Sequence, residues 1–241
     1  MYGGHRRSLV GRGPGELDIA IAGHAEAPLS NGSLKAWEAL HTLATIDADD
    51  ASTSCKPFSK NRSGMVLEPS DHAKARGAHV HGEILGYVAS NDAGHITRPS
   101  VEGQAGAIQV ALRSAGIEAS AINAINAINA HGTGTYTNDA TETGDIKAVF
   151  GHRTYDIPIS AKKAPHGHLL GTTGALKCAL SLLAMQHRVA LPTMHLLRPD
   201  PACDLDYVPN AARHDVSANT VLSNSFSFGG TNAVLVLRRV C

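Results

Sequence analysis

Two short segments combine histidine, threonine and glycine in a way that suits a reactive site, and a third combines glycine and threonine. HGTGT (131–135) begins with His131, KKAPHGHLLGTTGA (162–175) contains His168 between two glycines, and NSFSFGGTNAVLV (224–236) contains a glycine turn. Glycine lets backbone N–H groups come close to a ligand. Each pattern also has an ordinary structural explanation, because a histidine after a strand often has only a structural role and one glycine-rich loop is weak evidence.

The elements that must position these segments alternate between helix and strand, which predicts a layered α/β fold. Apolar runs ending in glycine and apolar positions three or four apart are the signals used. They predict strands at 17–23, 79–90, 125–130 and 157–161, and two strands joined by a glycine turn within 220–239. They predict helices at 33–45, 71–78, 99–116, 139–150 and 174–187, and a loop at 48–64.

A triplet, INA, is written three times directly before His131. A period of three suits neither a strand, which alternates every two residues, nor a helix. We expect residues 125–130 to form the strand and the earlier residues to bulge into the loop after Gly116, where added length costs little. The repeat itself has no predicted catalytic role.

The composition excludes several functions. Lys+Arg and Asp+Glu both number 21 among 241 residues, so no overall charge favours nucleic acid or an anionic membrane. The four cysteines show no CxxC spacing, which disfavours zinc and a disulfide framework and suggests a reducing, cytoplasmic setting. The HVH segment at 79–81 is interpreted as surface histidines, because no further metal ligands can be placed beside it.

Taken together and in this order, the segments resemble the C-terminal half of the β-ketoacyl-[acyl carrier protein] synthases, condensing enzymes with the thiolase-like layered αβα fold. The resemblance runs from about Gly15 to Arg239. It includes KPFSKNRSGMVL, SNDAGHITRPS, HGTGT, GHLLGTTGA, PDPACDLDYVPN and NSFSFGGTNAVLV. It implies a decarboxylative Claisen condensation in fatty acid or polyketide synthesis, with acyl carrier protein as partner, a homodimer in the family, and no cofactor or metal.

The resemblance also implies roles for individual residues. Two histidines would stabilise the enolate formed when malonyl loses CO₂. A lysine and an acidic partner would support them, although a plain surface ion pair remains an alternative for the lysine. An aromatic gate and threonines would contact the acyl thioester and the pantetheine arm. The implied catalytic residues are His131, His168, Lys163 and Glu142, and the implied substrate contacts are Phe228, Thr133, Thr135 and Thr97.

The family's nucleophilic cysteine has no counterpart in this sequence. Only 16 residues precede Leu17, and none is a cysteine. We therefore expect an N-terminally truncated fold, with 15–78 as a remnant of the N-terminal half and 79–241 as the C-terminal half. Cys55, Cys178, Cys203 and Cys241 fall on non-catalytic segments of the resemblance. The chain is predicted to be inactive in condensation.

Two alternatives remain. One is a non-catalytic subunit that binds carrier protein or pairs with a complete synthase; such a partner would have no use for His131 and His168, which are both present. The other is a decayed product without a stable fold, because a half-cut layered core exposes apolar faces.

Overall fold

The structure is a computed structural model that describes residues 20–24, 63–67, 70–77, 79–117 and 125–240. The predicted helix at 33–45 lies outside these residues. The strands are β1 (Ala20–His24), β2 (Ser63–Leu67), β3 (Glu83–Asn91), β4 (Ala127–Asn129), β5 (Ile159–Ser160), β6 (Thr220–Ser227) and β7 (Thr231–Arg238). The α-helices are α1 (Ser70–Ala75), α2 (Val101–Ser114), α3 (Tyr136–Phe150), α4 (Lys163–His166) and α5 (Thr173–His187).

Five strands form one mixed sheet in the order β3-β7-β6-β4-β5. β3, β7 and β6 pair antiparallel, whereas β4 runs parallel to both β6 and β5. The central strand β6 is buried along almost its whole length. Near-continuous burial is typical of a strand covered by helices on both faces.

Alternate side chains of β6 and β7 serve two different cores, because successive residues of a strand point to opposite faces. Leu222 and Val236 pack with Ile108 of α2 in the larger core, to which α3 also contributes. Their neighbours Val221 and Leu237 pack with α5 in the smaller core. The sheet therefore lies between two helical layers, as the predicted αβα fold requires.

Helix α2 is fixed by its cap and its apolar face. The Ser100 side chain accepts a hydrogen bond from the Gly103 N–H at 3.0 Å, which satisfies a free donor of the first turn. Gly86 of β3 allows the helix to lie close, because a Cβ there would come within 2.4 Å of the Ala111 carbonyl oxygen. A larger residue at position 86 would push helix and sheet apart.

The INA repeat enters the sheet through its last two copies, within the expected range 125–130. β4 comprises Ala127–Asn129, and hydrogen bonds extend the pairing from the Asn126 N–H (to Thr220 O, 3.0 Å) to the Ala130 N–H (to Ser160 O, 2.9 Å). The proposed bulge falls on residues 118–124, outside the described residues.

A second, two-stranded sheet pairs β1 and β2 antiparallel, with Ala22 opposite Met65. This pair lies against α5. The predicted loop at 48–64 is wrong at its end, because Ser63 and Gly64 belong to β2. Gly64 and the polar residues before it favour a loop, and although Met65, Val66 and Leu67 are apolar, the strand is defined by its pairing with β1.

Candidate active site

The candidate site lies where the three parallel strands β4, β5 and β6 end. The register aligns Asn129 of β4 with Ser160 of β5 and Ser223 of β6. Carboxyl ends of parallel strands meet at one edge of a sheet, where α/β proteins commonly bind ligands. HGTGT follows β4, the Lys163 segment follows β5, and the FGG turn follows β6, so the fold brings the three predicted segments together.

His131 is buried at this edge with 6% of its surface exposed. Its backbone N–H donates to Glu142 Oε1 at 2.7 Å, and the Gly132 N–H donates to Glu142 Oε2 at 2.8 Å. Gly132 has a φ of 45°, and a Cβ on it would come within 2.5 Å of the Ala161 side chain. The α3 carboxylate therefore holds the backbone on which the His131 ring is mounted.

Lys163 is 5% exposed, so the alternative of a surface ion pair is wrong. Its Nζ donates to the His131 carbonyl oxygen and lies 3.3 Å from His131 Nδ1. An ammonium group only donates hydrogen bonds, so Nδ1 accepts and the proton of the neutral ring is placed on Nε2. Glu142, the expected acidic partner of this lysine, uses both carboxylate oxygens on backbone N–H groups of the HGTGT segment.

His168 is oriented by the backbone that follows it. The Leu170 N–H donates to His168 Nδ1 at 3.1 Å, and the Thr173 hydroxyl lies 3.5 Å from the same atom. Leu170 has a φ of 46°, a left-handed conformation uncommon for a side chain of this size. Nδ1 again accepts, which assigns the proton of the neutral ring to Nε2.

Both rings are kept neutral. Burial, followed by repulsion from Lys163 and Lys177, lowers the pKa of His168 from 6.5 to about 3. The same causes lower the pKa of His131 well below its ordinary value, with a smaller contribution from His168. At neutral pH, each imidazole therefore offers an uncharged N–H donor.

The two rings approach each other as expected, with centroids 5.7 Å apart and planes at 78°. Phe226 of β6 lies 5.9 Å from the His131 ring, a neighbour that the sequence did not single out. Two donors held at this spacing can converge on one ligand atom. This arrangement can stabilise a developing oxyanion.

The four predicted substrate contacts have local partners of different kinds. Thr133 and Thr135 share a hydrogen bond of 2.9 Å, and Thr135 also caps α3. The Thr97 hydroxyl lies 3.3 Å from His95 Nδ1. Phe228 is 42% exposed, and the next residue donates its N–H to the Ile96 carbonyl oxygen at 2.7 Å. A ligand role for these four residues stays a prediction.

Two cysteines fall within the described residues, and neither resembles an activated nucleophile. Cys178 is buried inside α5, and burial raises its pKa to about 12. Cys203 is partly buried and free, and burial also raises its pKa. Because the thiolate is the reactive form, both are poor nucleophiles. Cys55 and Cys241 lie outside the described residues.

The sequence interpretation missed the polar residues beneath the site: Asn129, Lys177, Ser181 and Asn224, which are all buried. Thr173, Lys177 and Ser181 are spaced by four, so they lie on one face of α5. This spacing of four in the sequence could have predicted a polar face on an otherwise apolar helix.

The exposed rings of His79 and His81 pack edge to face at 4.6 Å. Within the part of the chain that the structure describes, no group of three potential metal ligands occurs. No helix among the described residues combines the length and apolarity needed to cross a membrane.

Comparison with known proteins identifies the class of protein to which this chain is similar. Residues 81–197 match the C-terminal domain of β-ketoacyl synthases. Two solved structures match with a TM-score of 0.87 and 35% identity. One is a ketosynthase of a type II polyketide synthase in complex with its acyl-carrier protein, and the other is a β-ketoacyl synthase from Burkholderia phymatum STM815. This chain is covered to 97% and 99%, and each of theirs to 59%.

Curated relatives agree. The chain is 41% identical to nodulation protein E of Rhizobium meliloti over 235 residues, and 40% identical to 3-oxoacyl-[acyl-carrier-protein] synthase 2 of Staphylococcus aureus strain COL over 236 residues. These alignments cover 94% and 93% of this chain. The chain carries the C-terminal domain of the β-ketoacyl synthase family. It spans about half the length of these relatives, 56% in each case.

Proposed function

We propose that this chain supplies the decarboxylating part of a β-ketoacyl-[acyl carrier protein] synthase site. The substrate is a malonyl thioester carried on an acyl carrier protein. When the C–C bond to the carboxylate breaks, CO₂ leaves. The electron pair of that bond forms a C=C bond to the thioester carbonyl carbon. The resulting enolate bears its negative charge on the thioester oxygen, where the Nε2–H groups of His131 and His168 donate.

The observation that carries the proposal is the matched tautomer of the two rings. Nδ1 of His131 is filled by Lys163, and Nδ1 of His168 is filled by the Leu170 N–H. Each neutral ring therefore has Nε2–H as its free donor. Loss of one preorganised oxyanion donor typically costs about 10²–10³ in rate, so two such donors account for a substantial acceleration.

The remaining roles belong to the same proposal, and the family resemblance supports them. Lys163 and Glu142 orient His131 and do not touch the reacting atoms. Thr133, Thr135 and Thr97 contact the pantetheine arm, and Phe228 gates the acyl side. The division at 78 and 79 separates a small N-terminal part from the half that carries these residues. In this proposal the chain binds acyl carrier protein. It assembles as a homodimer, and it is located in the cytoplasm.

Decarboxylation is tested by CO₂ release from malonyl-carrier protein labelled in its free carboxyl group. The purified 241-residue chain should release CO₂ faster than the uncatalysed reaction. His131→Ala and His168→Ala should each lower the rate by about 10²–10³. His152→Ala, which changes an exposed histidine, is the matched control and should leave the rate unchanged. Equal rates in all four proteins would contradict the proposal.

Chain extension requires a second chemical group, a thiolate that accepts the acyl chain. In the 241-residue chain taken by itself, we expect no acyl-enzyme and no β-ketoacyl product from acyl-carrier and malonyl-carrier. Intact-protein mass spectrometry after incubation with the acyl donor is the measurement. A stoichiometric adduct on Cys55, Cys178, Cys203 or Cys241, accompanied by product, would overturn this expectation without affecting the decarboxylation test.

A further inference from the structure

Helix α5 carries a buried polar stripe on the face that meets the sheet. Its members Thr173, Lys177 and Ser181 are all less than 9% exposed, and Lys177 is only 2% exposed. Their neighbours on the same helix, Cys178 and Met185, belong to the apolar core between α5 and the sheet. An amine at the centre of this face therefore calls for a physical reason, because burial of a charged or polar group costs free energy.

The backbone around Lys177 is held at both sides. The Asn129 amide donates to the Lys177 carbonyl oxygen at 3.2 Å and to the Ser181 hydroxyl at 3.0 Å. The Ser181 hydroxyl donates to the same Lys177 carbonyl at 2.8 Å. These bonds join α5 to β4 immediately before His131, so the lysine backbone is locked relative to the site.

The Lys177 side chain reaches the site by a short series of contacts. Its Nζ donates to the carbonyl oxygen of Asn224 on β6. The Asn224 amide donates to Glu142 Oε1 at 3.4 Å, and this oxygen accepts the His131 N–H. Three consecutive hydrogen bonds thus join the amine to the His131 backbone, and every residue among them is buried.

We propose that Lys177 is a positioning residue for His131, which acts by holding Asn224 and thereby the Glu142 carboxylate under the HGTGT backbone. The inference rests on the proposed decarboxylation, in which His131 must aim its Nε2–H at the thioester oxygen. Lys177 takes no part in the chemical step. Its burial, and repulsion from Lys163, lower its pKa well below the ordinary lysine value, and its Nζ donates to the Asn224 carbonyl oxygen.

The first test is Lys177→Met, which replaces the amine by an apolar group of similar length. Because a misplacement of about 1 Å at a reacting group can cost up to about 100-fold in rate, we expect kcat for decarboxylation to fall about 10- to 100-fold. KM for malonyl-carrier should change less than about threefold, because the thioester contacts are untouched. An unchanged kcat would overturn the inference.

Met185→Ala is the matched control. It removes buried side-chain volume from the same helix, two turns further on, without touching the hydrogen bonds to His131. It should lower stability in urea and leave kcat unchanged. If both variants lose kcat equally, Lys177 supports only the packing of α5 and the inference fails.

A readout without turnover separates this inference from the proposed function. In ¹⁵N NMR spectra, Lys177→Met should shift the backbone amides of His131 and Gly132 and the His131 ring nitrogens, and Met185→Ala should not. If the wild-type chain releases no CO₂, the proposed function fails, and these shifts still decide whether Lys177 positions His131.

Should Lys177→Met fail to fold, Asn224→Ala provides a second route. It keeps the carbonyl that Lys177 contacts and removes the amide that donates to Glu142. It should cause the same amide shifts and the same loss of kcat. Unperturbed His131 and Gly132 amides in this variant would overturn the inference.

Discussion

The two faces of the five-stranded sheet are packed in different ways. On the face covered by α2 and α3, buried hydrocarbon side chains such as Ile108, Leu222 and Val236 form one continuous core. On the face covered by α5, the apolar contacts around Met185 are interrupted by buried polar groups, of which Lys177 is the largest. The first face, although it also buries Gln104 and Asp145, carries the larger apolar core, whereas buried polar groups of the second face hydrogen-bond to the strands that lead to the site.

Substitution of Glu142 should cause the largest loss of stability, because its carboxylate joins α3 to the HGTGT backbone. Glu142→Ala removes the acceptor of two backbone N–H groups, those of His131 and Gly132. Hydrogen bonds to a buried charged group contribute about 1.5–3 kcal/mol each, so the free energy of unfolding should fall by about 3–5 kcal/mol. Urea denaturation is the measurement.

Glu142→Gln serves as the control for that change, because it keeps one carbonyl oxygen as an acceptor. Its loss of stability should be smaller than that of Glu142→Ala. A loss below about 1 kcal/mol in Glu142→Ala would show that the HGTGT backbone holds its shape without the carboxylate.

Ile108 tests the apolar face. It is fully buried in α2, so Ile108→Ala should cost about 3 kcal/mol through lost burial and a residual cavity. The ring nitrogens of His131 and His168 should keep the chemical shifts of the Nε2-protonated tautomer, because the hydrogen bonds that set it involve neither Ile108 nor α2. Loss of that tautomer, measured by NMR, would break the distinction between the two faces.

Acid should weaken the fold through the two histidines. The pKa of His168 is about 3 in the folded chain and 6.5 as its ordinary value, so the unfolded chain binds the proton more readily. The contribution is therefore fully present above pH 6.5 and is lost as the pH falls toward 3. Between pH 7.5 and pH 5, the free energy of unfolding should fall by about 2 kcal/mol on account of this ring.

The measurement is urea denaturation at several pH values for the wild type and for His168→Asn. The variant isolates this ring, because other groups, among them Asp145, whose pKa burial raises well above its ordinary value, titrate in both proteins. The wild type should show the steeper dependence on pH. Identical slopes would show that His168 is solvated in the folded chain.

Much of this arrangement was predictable from local patterns. The helices 101–114 and 173–187 follow the predicted ranges closely, because apolar spacing and glycine stops are local signals. The meeting of His131 and His168 was expected from the family resemblance. The structure adds a topological reason, since β4, β5 and β6 are parallel and end at one edge.

Other features depend on contacts that local patterns do not record. The strand at Ser63–Leu67 is defined by its pairing with β1. The role of Glu142 as an acceptor of backbone N–H groups, and the contact from Lys177 to Asn224, arise between residues far apart in the chain. A lysine within a helix is ordinarily interpreted as a surface residue, so its burial appears only once the sheet is in place.

The smallest expected effect tests which member of the polar stripe matters to His168. Thr173→Val keeps the shape of the side chain and removes the hydroxyl, which lies 3.5 Å from His168 Nδ1. The Leu170 N–H is the closer donor to that atom, at 3.1 Å, and it remains in the variant. A long hydrogen bond contributes little, so the free energy of unfolding should fall by about 0.5 kcal/mol and the decarboxylation rate by less than about threefold.

The His168 ring nitrogens should keep their NMR shifts in Thr173→Val, because the tautomer is set by the backbone. A change in the His168 tautomer, or a decarboxylation rate close to that of His168→Ala, would show that the Thr173 hydroxyl orients the ring. The polar stripe of α5 would then act on both histidines.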